Sequence, residues 1–254
     1  MILFLHDDIF NILISFCDNI DICNLFTCCK NLPIKNISLQ NVDVKGFNVY
    51  NFIKWISRFG IQKVYKLKVI DYNFLNDHCM FEYKESCTCI QEITTVLESI
   101  KINTLVLENV RIDNDVINWC PSIKSLLLLN YCEESDLLWI NKLRDLETLS
   151  IINYLEYREY EMFYVPHNSN IGFIRNGIQN PMLKFFYTNL YYFVTNLKTL
   201  VSNSVRNENL EVFSFDDLYT TRDELLELSK IISGIYPNAD MMKIKYYSLL
   251  DCVV

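Results

Sequence analysis

Glycine and histidine are scarce in this chain, which limits the chemistry it can support. Among 254 residues there are only five glycines and three histidines. The glycines are isolated, and no phosphate loop or dinucleotide-binding turn can be built from them in the usual way. None of the imidazoles, His6, His78 and His167, lies in a recognisable nucleophile, zinc-hydrolase or kinase motif. The sequence therefore predicts a protein without catalytic residues or a cofactor.

Clusters of basic residues and long apolar runs are also missing. The formal net charge is -8, and a nucleic-acid or anionic membrane surface is usually bound by clustered Lys and Arg, so we expect neither partner. The apolar start of the chain is interrupted at Asp7 and Asp8, too early for a signal peptide, and no run reaches the length of a membrane-spanning helix. These features predict a cytoplasmic or nuclear protein.

The ten cysteines are expected to stay reduced in such a compartment. One group combines His78 with Cys79, Cys87 and Cys89, but its spacing fits no standard zinc finger, and we interpret these thiols as structural. No metal site is therefore predicted. Half of the residues are hydrophobic, which indicates a folded chain. Enrichment in Asn, Ile, Lys and Tyr suggests an AT-rich coding sequence, which is compatible with a large DNA virus or an AT-rich microbe.

Two short amphipathic helices are predicted at the start of the chain. Asp7 can cap the first, whose apolar side chains share one face: Ile9, Ile12, Leu13 and Phe16. The second repeats this spacing until Pro33 prevents its continuation. A hairpin of this size cannot bury both apolar faces internally, so one face is expected to contact the rest of the chain or a partner.

This N-terminal pattern resembles an F-box. The sequence of residues 5–32, LHDDIFNILISFCDNIDICNLFTCCKNL, matches the family pattern without gaps, although His6 replaces the usual Pro and Leu32 the usual Trp. The resemblance implies docking on a Skp-type adaptor of a cullin ubiquitin ligase. The residues on the adaptor side would be Leu5, His6, Ile9, Leu13, Phe16, Ile22, Leu25, Cys28 and Cys29. Alternatively, residues 1–33 only cap the edge of a larger domain.

Beyond Pro33 a short apolar pattern recurs, with spacings of three and then two residues. It occurs at Ile34, Ile37 and Leu39; Val64, Leu67 and Val69; Ile102, Leu105 and Leu107; Ile123, Leu126 and Leu128; Leu146, Leu149 and Ile151; Leu210, Phe213 and Phe215; Met241, Ile244 and Tyr246; and, degraded, at Leu197 and Leu200. The intervals of 21 residues from Ile102 to Ile123 and 23 from Ile123 to Leu146 lie within the ~20 to 29 residue period of leucine-rich repeats.

Helical patterns lie between these predicted strands, as in residues 49–59, 90–100 and 225–232, the last ending at Gly234. The stretch VINWCPSIKSLLLLNYC, at residues 116–132, resembles the cysteine-containing leucine-rich repeats that follow F-boxes. We therefore predict an α/β fold, in which an F-box-like helical hairpin at residues 1–33 precedes an irregular leucine-rich-repeat solenoid of parallel strands and outer helices at residues 34–254. An ordinary α/β domain is the alternative.

Residues that alternate with the core positions of the strands would line the concave side of such a solenoid. They include Glu108 and the predicted target-binding set: Thr104, Val106, Ser125, Leu127, Leu129, Thr148, Ser150 and Ile152. Leu127, Leu129 and Ile152 would form an apolar patch that receives a target protein. An aromatic-rich insertion predicted at about residues 154–195 could instead cover this patch or, itself, take part in recognition.

Together these patterns predict a non-enzymatic substrate receptor that couples an unknown target protein to a Skp-type adaptor and a cullin ligase. One alternative is a leucine-rich-repeat interaction scaffold, such as a viral host-interaction factor, whose N-terminal helices are only a cap. A further alternative, an enzyme with an unrecognised site, would require a pocket containing a strongly perturbed titratable group.

Overall fold

A computed structural model describes residues 37–45, 61–70, 100–108, 122–129, 137–152, 172–189, 191–215 and 222–243. These residues form one eight-stranded sheet in which every neighbouring pair of strands is parallel. The strands follow one another across the sheet in the same order as along the chain. The predicted α/β class with a parallel sheet is therefore confirmed.

The strands vary in length from ten residues to four. They are β1 (Ile37–Lys45), β2 (Ile61–Ile70), β3 (Lys101–Glu108), β4 (Ser125–Leu129), β5 (Thr148–Ile152), β6 (Phe185–Thr188), β7 (Val212–Phe215) and β8 (Asp240–Lys243). The described helices are a 3-10 helix (Leu137–Lys142), α1 (Gly172–Asn176), α2 (Tyr191–Thr195), α3 (Leu197–Ser202) and α4 (Arg222–Ile235).

The main hydrophobic core lies on one face of the sheet, which we call the core face. Leu105 pairs with Leu126, Leu126 with Leu149, and Leu149 with Phe186, so apolar side chains form a continuous row across the strands. The row continues into Phe213, whose ring centroid lies 5.1 Å from that of Phe186. Apolar side chains of the helices, such as Phe173 of α1 and Ile232 of α4, belong to the same cluster, so the helices pack against this face.

A repeated irregularity explains the apolar spacing of three residues. The carbonyl oxygen of Lys124 accepts hydrogen bonds from both Glu147 N (2.7 Å) and Thr148 N (2.9 Å). Side chains alternate between the faces of a regular strand, so residues three apart would point in opposite directions. Two consecutive N–H groups on one acceptor interrupt this alternation as a bulge does, and Leu146 and Leu149 can both enter the core. The Lys184 carbonyl receives a matching pair of bonds from Glu211 N and Val212 N.

The predicted positions of strands β2, β3, β4, β5 and β7 are confirmed, since all their core triplets are buried. The outermost triplets are wrong. Leu39 pairs with Val64, so Leu39 is the first core residue of its strand rather than the third. Met241 pairs with Phe213, so Met241 is the second rather than the first. Register is set by pairing with the neighbouring strand, and the same spacing elsewhere in the chain is accidental.

Two further predictions in the middle of the chain are corrected. Leu197 and Leu200 belong to helix α3 and not to a strand, because a spacing of three also suits a helix. Residues 154–195 were predicted to be an insertion, but strand β6 lies near the end of this segment and belongs to the sheet. The helix predicted near residues 225–232 is confirmed as α4, although α4 continues one residue past Gly234.

We call each strand, together with the segment that follows it up to the next strand, a unit. A short turn in the unit of β5, Gly177–Gln179, contacts the units of β4 and β6, and we call it the inter-unit turn. The Asn141 side chain binds it from the preceding unit, donating to Gly177 O (2.9 Å) and accepting from Gln179 N (3.0 Å). From the following unit, Ser204 Oγ accepts from Ile178 N at 2.8 Å. Gly177 has φ +70°, a conformation suited to glycine at the end of α1. The turn thus fixes neighbouring units to each other.

Candidate protein-interaction surface

The predicted target-binding residues lie together on the face of the sheet opposite the core face, which we call the second face. Thr104 pairs with Ser125 and Ser125 with Thr148. One step further along the strands, Val106 pairs with Leu127 and Leu127 with Ser150, while Leu129 pairs with Ile152. All eight predicted residues therefore form one continuous area across β3, β4 and β5.

Sequence reasoning missed the contribution of β6 to this area. Tyr187 pairs with Ser150 and is completely buried. It forms a second apolar cluster, separate from the main core, with Val106, Leu127, Leu129 and Ile152, and Phe185 packs against them. The triplet Leu183, Phe186 and Thr188 has the repeat spacing, but a threonine at its third position concealed it. Accepting a small polar residue at that position would have identified the strand.

The apolar part of the second face is not a free surface. Val106, Leu127, Leu129 and Ile152 are each no more than 7% exposed. Of the two arrangements considered from the sequence, the structure favours a covered patch over an open one. The cluster members among the described side chains all come from strands β3 to β6. Thr104, Ser125 and Thr148 are only half-buried.

Polar residues occupy the second face over the first strands of the sheet. Asn41 and Asp43 are exposed, and Lys66 and Lys68 are half-buried. Lys68 Nζ lies 2.6 Å from Glu108 Oε2, and both side chains retain about a quarter of their exposure. A surface salt bridge of this kind contributes little stability by itself. This part of the face is thus charged, partly hydrated and open to another molecule.

A row of alternating charges marks the beginning of the central strands. Glu147 accepts a hydrogen bond from Lys124 Nζ at 2.8 Å and from Lys184 Nζ at 2.7 Å. The bond from Lys124, followed by that from Lys184, lowers the pKa of Glu147 to about 2. The same contact raises the pKa of Lys184. Glu147 therefore joins three neighbouring units at the surface and stays ionised well into acid.

Two buried asparagines that link neighbouring units have their side-chain amides hydrogen-bonded within the fold. Asn180 Nδ2 donates to Leu143 O at 2.6 Å, and Asn207 Nδ2 donates to Leu183 O at 2.7 Å. Burial raises the pKa of Tyr236, whose buried hydroxyl has no hydrogen-bond partner among the described residues. The two asparagine bonds connect neighbouring units to each other.

The predicted adaptor-binding residues all lie outside the described residues, together with the three histidines and ten cysteines. Within the described part of the chain, no group of three His, Cys, Asp or Glu side chains could hold a metal ion. No described helix is both long enough and apolar enough to cross a membrane.

Comparisons of the chain with protein-family models, with curated proteins and with solved structures found no match.

Proposed function

We propose that this protein is a non-enzymatic substrate receptor, in which an F-box-like head at residues 1–33 docks on a Skp-type adaptor of a cullin ubiquitin ligase and a leucine-rich-repeat body binds a target protein. One observation carries the proposal for the body. Its parallel strands follow chain order across the sheet, with apolar positions in register from β2 to β7. Stacked repeats produce this arrangement, whereas a doubly wound sheet reverses its strand order.

The proposal for the head depends on the sequence pattern, which has an apolar stripe and acidic start like those of F-boxes. Binding of purified Skp-type adaptor to the immobilised full chain tests it. We expect wild type to retain the adaptor and a Leu5→Asp, Leu13→Asp double variant to lose it, because two charges in a docking stripe cannot be desolvated cheaply. Equal retention by both proteins would refute the contact.

A matched control distinguishes this contact from non-specific apolar binding. Met182 and Leu226 are large apolar side chains that are 47% and 57% exposed in the body. A Met182→Asp, Leu226→Asp double variant makes the same chemical change elsewhere on the surface. It should retain the adaptor as wild type does. Loss of binding in the control would show that the assay detects non-specific apolar contact.

The target-binding side of the proposal is placed on the open, polar part of the second face. The apolar cluster is buried, so the most accessible described positions on this face are those over β1 and β2, followed by the half-buried row across β3, β4 and β5: Asn41, Asp43, Lys66 and Lys68, then Thr104, Ser125 and Thr148. We expect Lys66→Glu to remove the target from complexes purified from cells, as read by mass spectrometry. Lys63→Glu is the matched control, because Lys63 lies on the same strand but contacts the exposed Tyr65 ring, at 4.0 Å.

A second candidate function is a repeat scaffold in which residues 1–33 act only as a cap. One observation favours it: Leu39 and Val42 of β1 are buried although no other described strand lies on the outer side of β1. Terminal repeats need such cover. Under this alternative, deletion of residues 1–32 lowers the unfolding midpoint of the body and the full chain retains no adaptor. Adaptor binding by the full chain distinguishes the two functions.

A further inference from the structure

The chain contains a single Asn-Gly dipeptide, Asn176–Gly177, and it lies at the inter-unit turn. In such a pair the backbone nitrogen of the glycine can attack the side-chain amide carbon of the asparagine. Glycine has no Cβ to hinder this approach. Asn176 is exposed at the end of α1, whereas Gly177 is buried. The attacking nitrogen therefore belongs to a buried glycine, whereas the amide that it attacks belongs to an exposed asparagine.

We propose that Asn176 is a self-modification site, which the native fold protects and which deamidates when the inter-unit turn opens. A bond forms between Gly177 N and Asn176 Cγ, the bond from Cγ to Nδ2 breaks, and Nδ2 leaves as ammonia with the proton from the Gly177 amide. Water then opens the resulting five-membered imide at one of its two C–N bonds. The products are an aspartyl residue or an isoaspartyl linkage, and no oxidant or reductant is needed.

The native geometry holds the reacting atoms apart. Asn176 Nδ2 donates to Gly172 O at 2.8 Å, so the amide is directed back along α1 and away from the Gly177 nitrogen that follows. This direction agrees with the general lean of helical side chains toward the helix N-terminus. Gln179 Nε2 donates to Asn176 O and also, at 3.0 Å, to Asn203 O. Cyclisation therefore requires the end of α1 to unwind.

The turn has little room for the altered backbone that the isoaspartyl product creates. That product inserts an extra carbon between residues 176 and 177. Gly177 O and Gln179 N are both held by Asn141, and a Cβ at Gly177 would already lie 2.3 Å from Asn203 C. A longer backbone at this turn cannot keep its hydrogen bonds to the preceding unit and its packing against the following unit at the same time. Opening of the turn thus becomes irreversible once the isoaspartyl linkage has formed.

Peptide mapping of the intact chain after incubation at mildly alkaline pH tests the proposal. Mass spectrometry detects the exchange of amide for carboxyl at position 176. We expect conversion at least about tenfold faster in urea than in native buffer, because opening a folded segment costs free energy. Equal rates would overturn the protection, and an unreactive position 176 in urea would overturn the site itself. Asn176→Gln should abolish conversion at this position and leave other peptides unchanged.

The role of the turn is tested by Asn141→Ala. This change removes the two hydrogen bonds from the Asn141 side chain to the turn and leaves the reacting atoms of Asn176 and Gly177 unchanged. Its native conversion rate at position 176 should rise toward the urea rate, while its rate in urea stays that of wild type. Asn209→Ala is the control, since Asn209 donates to Pro181 O outside the turn. Circular dichroism identifies a variant that has unfolded globally. A folded Asn141→Ala protein with the wild-type native rate would overturn the proposed protection by the turn.

Discussion

Replacement of Gly177 by alanine is expected to destabilise the body strongly. Gly177 has φ +70°, a conformation that costs an L-residue about 1–2 kcal/mol. A Cβ there would lie 2.3 Å from both Asn203 C and Ser204 N, and these are backbone atoms that cannot rotate away. Forcing an extra carbon into a packed site costs about 1–3 kcal/mol more. We therefore expect Gly177→Ala to lower the free energy of unfolding by about 2–5 kcal/mol.

Gly234 provides a matched control with the opposite sign. It lies within α4, and apart from the neighbouring backbone of that helix no heavy atom is found within 4 Å of the position its Cβ would occupy. Alanine is favoured over glycine in a helix by about 0.5–1 kcal/mol, and less is expected so close to the helix end. Urea unfolding of the full chain, followed by circular dichroism, measures both variants. A midpoint for Gly177→Ala equal to or above that of wild type would refute the reasoning.

Three further predictions concern single side chains. Glu147→Gln tests the charge row. The pKa of Glu147 is about 2 in the fold and near 4.5 in the unfolded chain. The free energy of unfolding that wild type has in excess of the variant should therefore be constant above pH 4.5 and disappear as the pH falls to about 2. A gap that persists at the lowest pH would contradict this. Asn180→Ala should cost about 1–3 kcal/mol, because Leu143 O and Met182 N lose a buried partner. Asn209→Ala should stay within about 0.5 kcal/mol of wild type in the same unfolding series. Leu127→Asp should cost about 3–5 kcal/mol in thermal or urea unfolding, because the second face is buried there; a neutral effect would indicate an open patch.

Strands with complete apolar triplets could be predicted from the sequence because their side chains enter one core. Val64, Leu67 and Val69 are all buried, as are the corresponding residues of β3, β4, β5 and β7. The spacing itself results from the doubled hydrogen bond at the beginning of several strands, such as that on Lys124 O. A backbone irregularity repeated before several strands thus leaves a signature in the side-chain pattern, and the pattern could be recognised without knowing its cause.

The ends of the sheet and its aromatic region could not be placed in the same way. The register of β1 is fixed by pairing with β2, and the spacing at residues 34–39 was accidental. In β6, Thr188 occupies a core position where an apolar residue was expected, and it is completely buried. Aromatic crowding around Phe185, Phe186 and Tyr187 suggested an insertion, although it reflects a strand with buried rings on both faces.

The same reasoning identifies where the second face is open. A strand buried on both faces is expected to be apolar at consecutive positions, whereas a half-exposed strand alternates. Strand β4 reads SLLLL and is buried at all four leucines, but β2 reads IQKVYKLKVI and retains half-buried lysines at 66 and 68. The polarity of consecutive residues therefore separates the covered part of this face, over β4 and β5, from the hydrated part over β1 and β2. The proposed target would therefore meet the most accessible residues of this face over β1 and β2, and Lys66→Glu tests that contact directly.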